Sequence, residues 1–251
     1  MVAVLVCVAV VLGIYPVDRT VWCVEMVWTV GLWAILLLTR RKFRFSPLAY
    51  LCFFVWTVLQ LVGAHYTFEL VPMDWLKEML GLVRNPYDRI AHFTVGWFAF
   101  PFAELFLRKG WVRSATLAAF FAVMTVVAMA GLWELVEWQY AVIEGGDAGA
   151  AFLGSQGDAW DAQKDILCDT LGALCAATLF LFRERSLERC RERRLLSLRL
   201  GELWPHLSRG VCRRLPSIGC RPGACSTRRP MFRTVAPPSC WVVARLCRTD
   251  S

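Results

Sequence analysis

Two ionisable residues four apart, Asp88 and His92, mark the most informative stretch of the chain, NPYDRIAHF over residues 85–93. Positions i and i+4 of a helix share a face, so a helix beginning after Asn85 and Pro86 sets a carboxylate beside an imidazole. A second pair, Glu134 and Glu137, lies in GLWELVEWQY between Trp133 and Trp138. Two carboxylates this close repel unless a proton, a cation or an arginine lies between them. A third set, Asp161, Asp165 and Asp169, recurs at four-residue steps through GDAWDAQKDILCDTLGAL into an apolar run. Asp158 as N-cap with Asp161 in the first turn suits the start of that helix, but capping does not account for Asp165 and Asp169. Gly172 continues their face and predicts a close helix neighbour.

Mixed carboxylate and imidazole donors suit Zn²⁺, Mn²⁺ or Mg²⁺. Asp88, His92, Glu134, Glu137, Asp165 and Asp169 are therefore the candidate metal ligands, and a divalent metal is the cofactor such a set implies. Arg89 and Asp161 complete the candidate binding cluster, with His65, Tyr66 and Gln139 as secondary candidates. Glu104, four before Arg108, reads as a helix-surface ion pair. Glu25 either snorkels or points inward. No nucleophile motif, Gly-rich phosphate loop or HExxH occurs, so the residues name no reaction.

The elements that must position these groups are membrane helices. Apolar residues make up 57% of the 251, above the roughly 45–50% of soluble domains, and mean hydropathy is +0.49. The apolar runs are Val2–Ile14, Val21–Leu38, Pro47–Gly63, Ile90–Leu107, Val112–Ala130 and Ile166–Phe182. Most approach the ~20 residues that cross a bilayer, so the expected fold is an all-α polytopic bundle of about six transmembrane helices over residues 1–182. The first run lacks the basic n-region and cleavage site of a signal peptide and is expected to be a true span, short at its start. Between spans three and four, Val71–Val83 carries Trp75, Leu76, Met79 and Leu80 at helical spacing. It is too short to cross and is expected to lie along the outer interface. The small-residue stretch Gly145–Gly157 reads as an outer loop.

Charge divides the chain differently. Up to Phe182 there are 12 Lys+Arg against 15 Asp+Glu, whereas residues 183–251 hold 16 Arg, no Lys and five acids. The pI near 9.1 thus belongs to the tail and implies no nucleic-acid partner. That tail, rich in Arg, Cys and Pro, has the composition of a poorly ordered or frame-shifted segment. Its cysteines form no CxxC pair, so neither a zinc site nor a disulfide framework is legible. Arg40, Arg41, Lys42 and Arg44 follow span two, and Arg108, Lys109 and Arg113 follow span four, while the alternate loops are acidic. By the positive-inside rule both termini are cytoplasmic, and the ionisable groups face the periplasm.

Residues 63–180 resemble the YjdF family of bacterial inner-membrane proteins, a family without an assigned activity. The likeness rests on GAHYTFELVP, NPYDRIAHF, ELVEW and FLGSQGDAWDAQKDILCDTLGAL. A looser likeness runs to VanZ-type membrane proteins, linked to glycopeptide-antibiotic resistance. It aligns Asp88, Arg89, His92 and Phe93, then Glu134 and Gln139, then Asp165, Asp169 and Gly172 with that family's pattern. Both imply a multi-pass protein of the bacterial inner membrane.

Three functions compete. The cluster either binds a metal ion or an envelope or lipid-linked ligand, or relays a proton, cation or small solute, or only locks helix ends together, its acids paired with Arg84, Arg89 and Lys164. Ionisable groups gathered at one face, without an internal inverted repeat, disfavour transport. The expected topology is checked by reporter fusions: Arg41 and Lys109 should report cytoplasm and Gly149 periplasm, and a cytoplasmic Gly149 would overturn it.

Overall fold

The computed structural model describes residues 1–146, 149, 153 and 155–214, with side chains as far as residue 196. Every regular element among them is a helix: α1 (Val2–Leu12), α2 (Arg19–Thr39), α3 (Pro47–Tyr66), α4 (Asp74–Leu80), α5 (Tyr87–Gly96), α6 (Ala99–Arg108), α7 (Ala115–Glu144) and α8 (Asp161–Arg214). Five segments are long and apolar enough to cross a membrane: α2, α3, α5 and α6 taken together as Tyr87–Arg108, α7, and Asp161–Leu196 of α8. With the shorter apolar α1 they make about six. Met1–Phe182 forms one compact unit and Arg183–Ser251 another. In the second, helix continues to Arg214, so the part of the expected poorly ordered tail that is described is helical. Residues 215–251 lie outside the described residues.

Local chemistry sets the helix starts. Asp18 accepts from the amides of Thr20 (2.7 Å) and Val21 (2.9 Å) to open α2. Ser46 caps α3 with Pro47 at N1, and Ser114 caps α7, as short polar side chains and an N1 proline favour. Pro101 has no N–H for the carbonyl of Trp97, which instead takes the Phe100 amide at 3.1 Å. The span therefore breaks between α5 and α6 at Trp97–Phe98.

Two expected boundaries move. The fifth span ends at Glu144, not near Ala130, because Leu, Val and Trp around the two glutamates keep the helix apolar. The last helix starts at Asp161, leaving Asp158 in the preceding turn, where its carboxylate accepts the Trp160 amide at 3.1 Å. Within 145–157 most residues fall outside the described ones, but Gly146, Gly149 and Leu153 are helical, against the loop expected there.

The core of the first unit joins α3, α6, α7 and α8. Ala118, Ala122 and Val126, one face of α7, are buried with Ala99 and Ala103 of α6, small side chains that let backbones approach. Phe100 meets Phe180 edge-on with centroids 5.7 Å apart, and Phe98 fits between Phe53 and Trp56. Glu104 is not on the surface. At 1% exposure it accepts from the Ser46 amide (2.7 Å), the Ser46 hydroxyl (2.5 Å) and Arg108 (2.5 Å), tying the cap of α3 to α6.

Gly172 has the close neighbour its position predicted. A Cβ there would run into the carbonyl of Phe93, and one on Gly96 would meet the backbone of Asp169 and Ala173. Gly172→Ala and Gly96→Ala should each lower the melting temperature of the purified protein, at a cost of about 1–3 kcal/mol for overpacking. Gly131→Ala, in open space on α7, should leave it unchanged or raise it.

Candidate functional site

Helices α5 and α8 run in the same direction from one end of the bundle, and their ionisable residues pair in steps of four. Deepest is His92 Nδ1, 3.1 Å from Asp169 Oδ2. An ionised carboxylate only accepts, so this contact calls for a proton on Nδ1. One turn up, Arg89 pairs with Asp165 through Nη1 and with Asp161 through Nη2, and Asp158 lies 3.5 Å from the same guanidinium. At the top Arg84 holds Asp88 at 2.9 Å and Asp161 beside it. Lys164 reaches Asp158 at 2.6 Å on the rim, and this hydrogen bond holds the Asp158 carboxyl below the usual carboxylate range.

The outward ring nitrogen of His92 has a more demanding position. Nε2 lies 3.7 Å from both Asp88 Oδ1 and Asp165 Oδ1. With one ring proton directed at Asp169, Nε2 faces two carboxylate oxygens, an arrangement balanced either by a second ring proton or by a cation between them. Asp88, His92 and Asp165 each offer one ligand atom within 4.8 Å of the others. Ligands about 2.1–2.2 Å from one metal lie roughly 3–3.8 Å apart, so small side-chain rotations close the triad on an ion.

Burial sharpens this requirement. Asp165 and Asp169 are 3% and 1% exposed. Asp169 Oδ1 has no hydrogen-bond partner, while Asp165 Oδ1 is held by Arg89. Asp88, Asp158, Asp161, Asp165 and Asp169 face three fixed cations, Arg84, Arg89 and Lys164, so with His92 neutral two negative charges are left over.

Of the candidate residues, Asp88, Arg89, His92, Asp161, Asp165 and Asp169 meet in one hydrogen-bonded and ion-paired set. Glu134 and Glu137 on α7 share no hydrogen bond or ion pair with it among the described residues, although both interact with His92 at longer Coulombic range. Glu134 Oε1 is buried and also lacks a hydrogen-bond partner. His65 turns elsewhere, its Nδ1 2.7 Å from the Leu12 carbonyl, with Tyr66 edge-on against its ring. Gln139 is exposed. Two further groups take definite roles. Arg84, one of the cations that the lock reading sets against the acids, bridges both helices. Glu25 points inward, 6% exposed, and accepts from Gln60 Nε2 at 2.7 Å; a glutamate and a glutamine in successive apolar spans were the available signal.

Arg89→Ala should cost about 3–5 kcal/mol, because it leaves Asp161 and Asp165 without their shared counter-ion in a buried setting. The readout is the melting temperature in detergent, with Lys164→Ala on the rim expected to stay near wild type.

Comparison with known proteins bears on the whole first unit. Residues 1–186 match the family described as predicted membrane protein (DUF2238). The inner membrane protein YjdF of Escherichia coli (strain K12) is 36% identical over 191 residues, covering 75% of this chain and 88% of that protein. No solved structure matches. The five to six apolar helices and this relative fit a multi-pass protein of the inner membrane. The chain belongs to the DUF2238 family of membrane proteins.

Proposed function

We propose that the α5–α8 cluster is a divalent-cation site that presents its metal to an anionic ligand at the periplasmic side of the membrane. The observation that carries this reading is the position of His92 Nε2, equidistant from Asp88 and Asp165 with the ring's proton held by Asp169. The ligands are His92 Nε2 and one oxygen each of Asp88 and Asp165. Asp169 positions the imidazole, as carboxylates behind metal-bound histidines do. A dication also balances the two surplus negative charges. Three protein ligands leave coordination positions open, and the guanidinium groups of Arg84 and Arg89 border them. A phosphate of an envelope or lipid-linked ligand fits such surroundings. The periplasmic orientation rests on the loop charges: Asp88 and Arg108 stand at opposite ends of the same span, and Arg108 belongs to the basic end.

A second reading has a specific observation in its favour. Arg84 and Arg89 each pair with α8 carboxylates, and Arg84 also with Asp88 on α5, so the cluster can serve as an ion-pair lock with a proton on Nε2 in place of a metal. Thermal melts of the purified protein with Mn²⁺, Zn²⁺ or Mg²⁺ separate the two. A bound ion at a hundredfold excess over its Kd stabilises by about 2.7 kcal/mol. His92→Ala and Asp165→Asn should abolish the shift, and Asp169→Asn should weaken apparent affinity about 10–100-fold. Melting unmoved by any of these ions or by chelator, together with a large loss in Arg89→Ala, would leave the lock alone standing.

A further inference from the structure

Between α3 and α5 the chain makes a strap, residues 69–85, that the cation site does not use. Thr67 and Phe68 both take left-handed conformations, with φ of 55° and 57°, and turn the chain sharply out of α3. At 100° per residue, α4 then places Trp75, Met79 and Leu80 on one side and Asp74, Lys77 and Glu78 on the other. The apolar side is bare: Trp75 is 63% exposed, Met79 66%, Leu80 57%, and Val83 just beyond the helix 94%. An exposed apolar patch of this kind marks an interaction surface.

The strap closes on itself. Asn85, buried, donates through Nδ2 to the carbonyls of Glu69 (3.0 Å) and Val71 (2.6 Å) and accepts the Tyr87 amide at Oδ1 (3.0 Å). Its own amide donates to Gln156 Oε1 at 2.8 Å. Arg84, the residue before this neck, is the one that holds Asp88 and Asp161.

We propose that the strap docks into the lipid leaflet at the cluster end of the bundle through Trp75, Met79, Leu80 and Val83, and that this docking holds Arg84 over Asp88 and Asp161. Lipid is the occupant because the strap joins the ends of two spans, α3 and α5, so its bare face continues their lipid-facing surface. At that depth tryptophan is favoured, and a short amphipathic helix lies in the plane of the interface with its apolar side in the acyl boundary. The neck then transmits the strap's position to Arg84 directly, since only one peptide bond separates Arg84 from Asn85. This holds whether the cluster carries a metal or a proton.

The test uses the full chain in phosphatidylcholine nanodiscs. The fluorescence contributed by Trp75, taken as the difference from Trp75→Phe, should fall at least twofold with chain-brominated lipid and be untouched by aqueous iodide. Quenching by iodide would put the strap in water, and protection from both quenchers would put a protein, such as a second copy of this chain, on that face; either result overturns the proposal. Coupling is read by hydrogen exchange. Trp75→Ser/Met79→Ser/Val83→Ser should speed exchange of residues 84–92 several-fold and leave residues 47–60 unchanged. Should the triple variant not insert, Val83→Ser serves with the same readout, because its side chain packs on almost nothing. Unaltered protection of residues 84–92 would break the link between strap and Arg84.

Discussion

Everything at the cluster depends on how closely two helix backbones approach at Gly96 and Gly172. His92 lies four residues before Gly96, and Asp169 three before Gly172, so the crossing sets the level at which imidazole and carboxylate meet. Above it both helices climb in parallel at the same rise per residue, and the pairs follow in order: His92 with Asp169, Arg89 with Asp165 and Asp161, Arg84 with Asp161. A side chain at either glycine would push the helices apart at the base of this ladder. Each rung above would then lengthen, and charges in a partly buried setting lose most from lost contact.

The same geometry concentrates negative charge where it is hardest to hold. Asp88, Asp158 and Asp161 lie at the starts of two helices, where the amide ends of both macrodipoles favour anions, but Asp165 and Asp169 lie one and two turns further in, beyond that help. Two arginines and a lysine offset part of the charge. The remainder falls between Asp88, Asp165 and Nε2 of His92, where a second ring proton or a cation would touch all three. Asp169 decides which nitrogen that is, although its own second oxygen is left without a donor. It acts through His92 and is a positioning residue in either reading of the site.

A second buried polar knot, at the other end of the bundle, shows how differently charge behaves when it is fully satisfied. Glu104 receives three hydrogen bonds, two from Ser46 and one from Arg108. Arg108 in turn donates to the Arg44 carbonyl at 2.8 Å and covers the ring of Phe43. Nothing in this knot asks for a further ligand, and it joins the loop before α3 to the end of α6. The contrast with Asp169, buried as deeply but with one oxygen short of a donor, separates a structural clamp from a candidate site.

Much was legible without the fold. Runs of about twenty apolar residues announce spans because hydrocarbon tolerates no unpaired backbone, and four-residue spacing placed Asp88 with His92 and Asp161, Asp165 and Asp169 along one face. Gly172 on that face foretold a close crossing. Tertiary structure alone decided the partners. It brought α5 to α8 and left Glu134 and Glu137 on α7 at longer range, a choice made by glycine and alanine contacts between helices that are distant in sequence. It turned Glu25 inward onto Gln60 and buried Glu104 against Ser46, where a surface pair with Arg108 had been the simplest reading. It also gave Arg84, outside any helix, a place between two of them. Periodicity reports which residues share a face of one helix; which face meets which depends on packing across the whole bundle, and no local pattern carries that information.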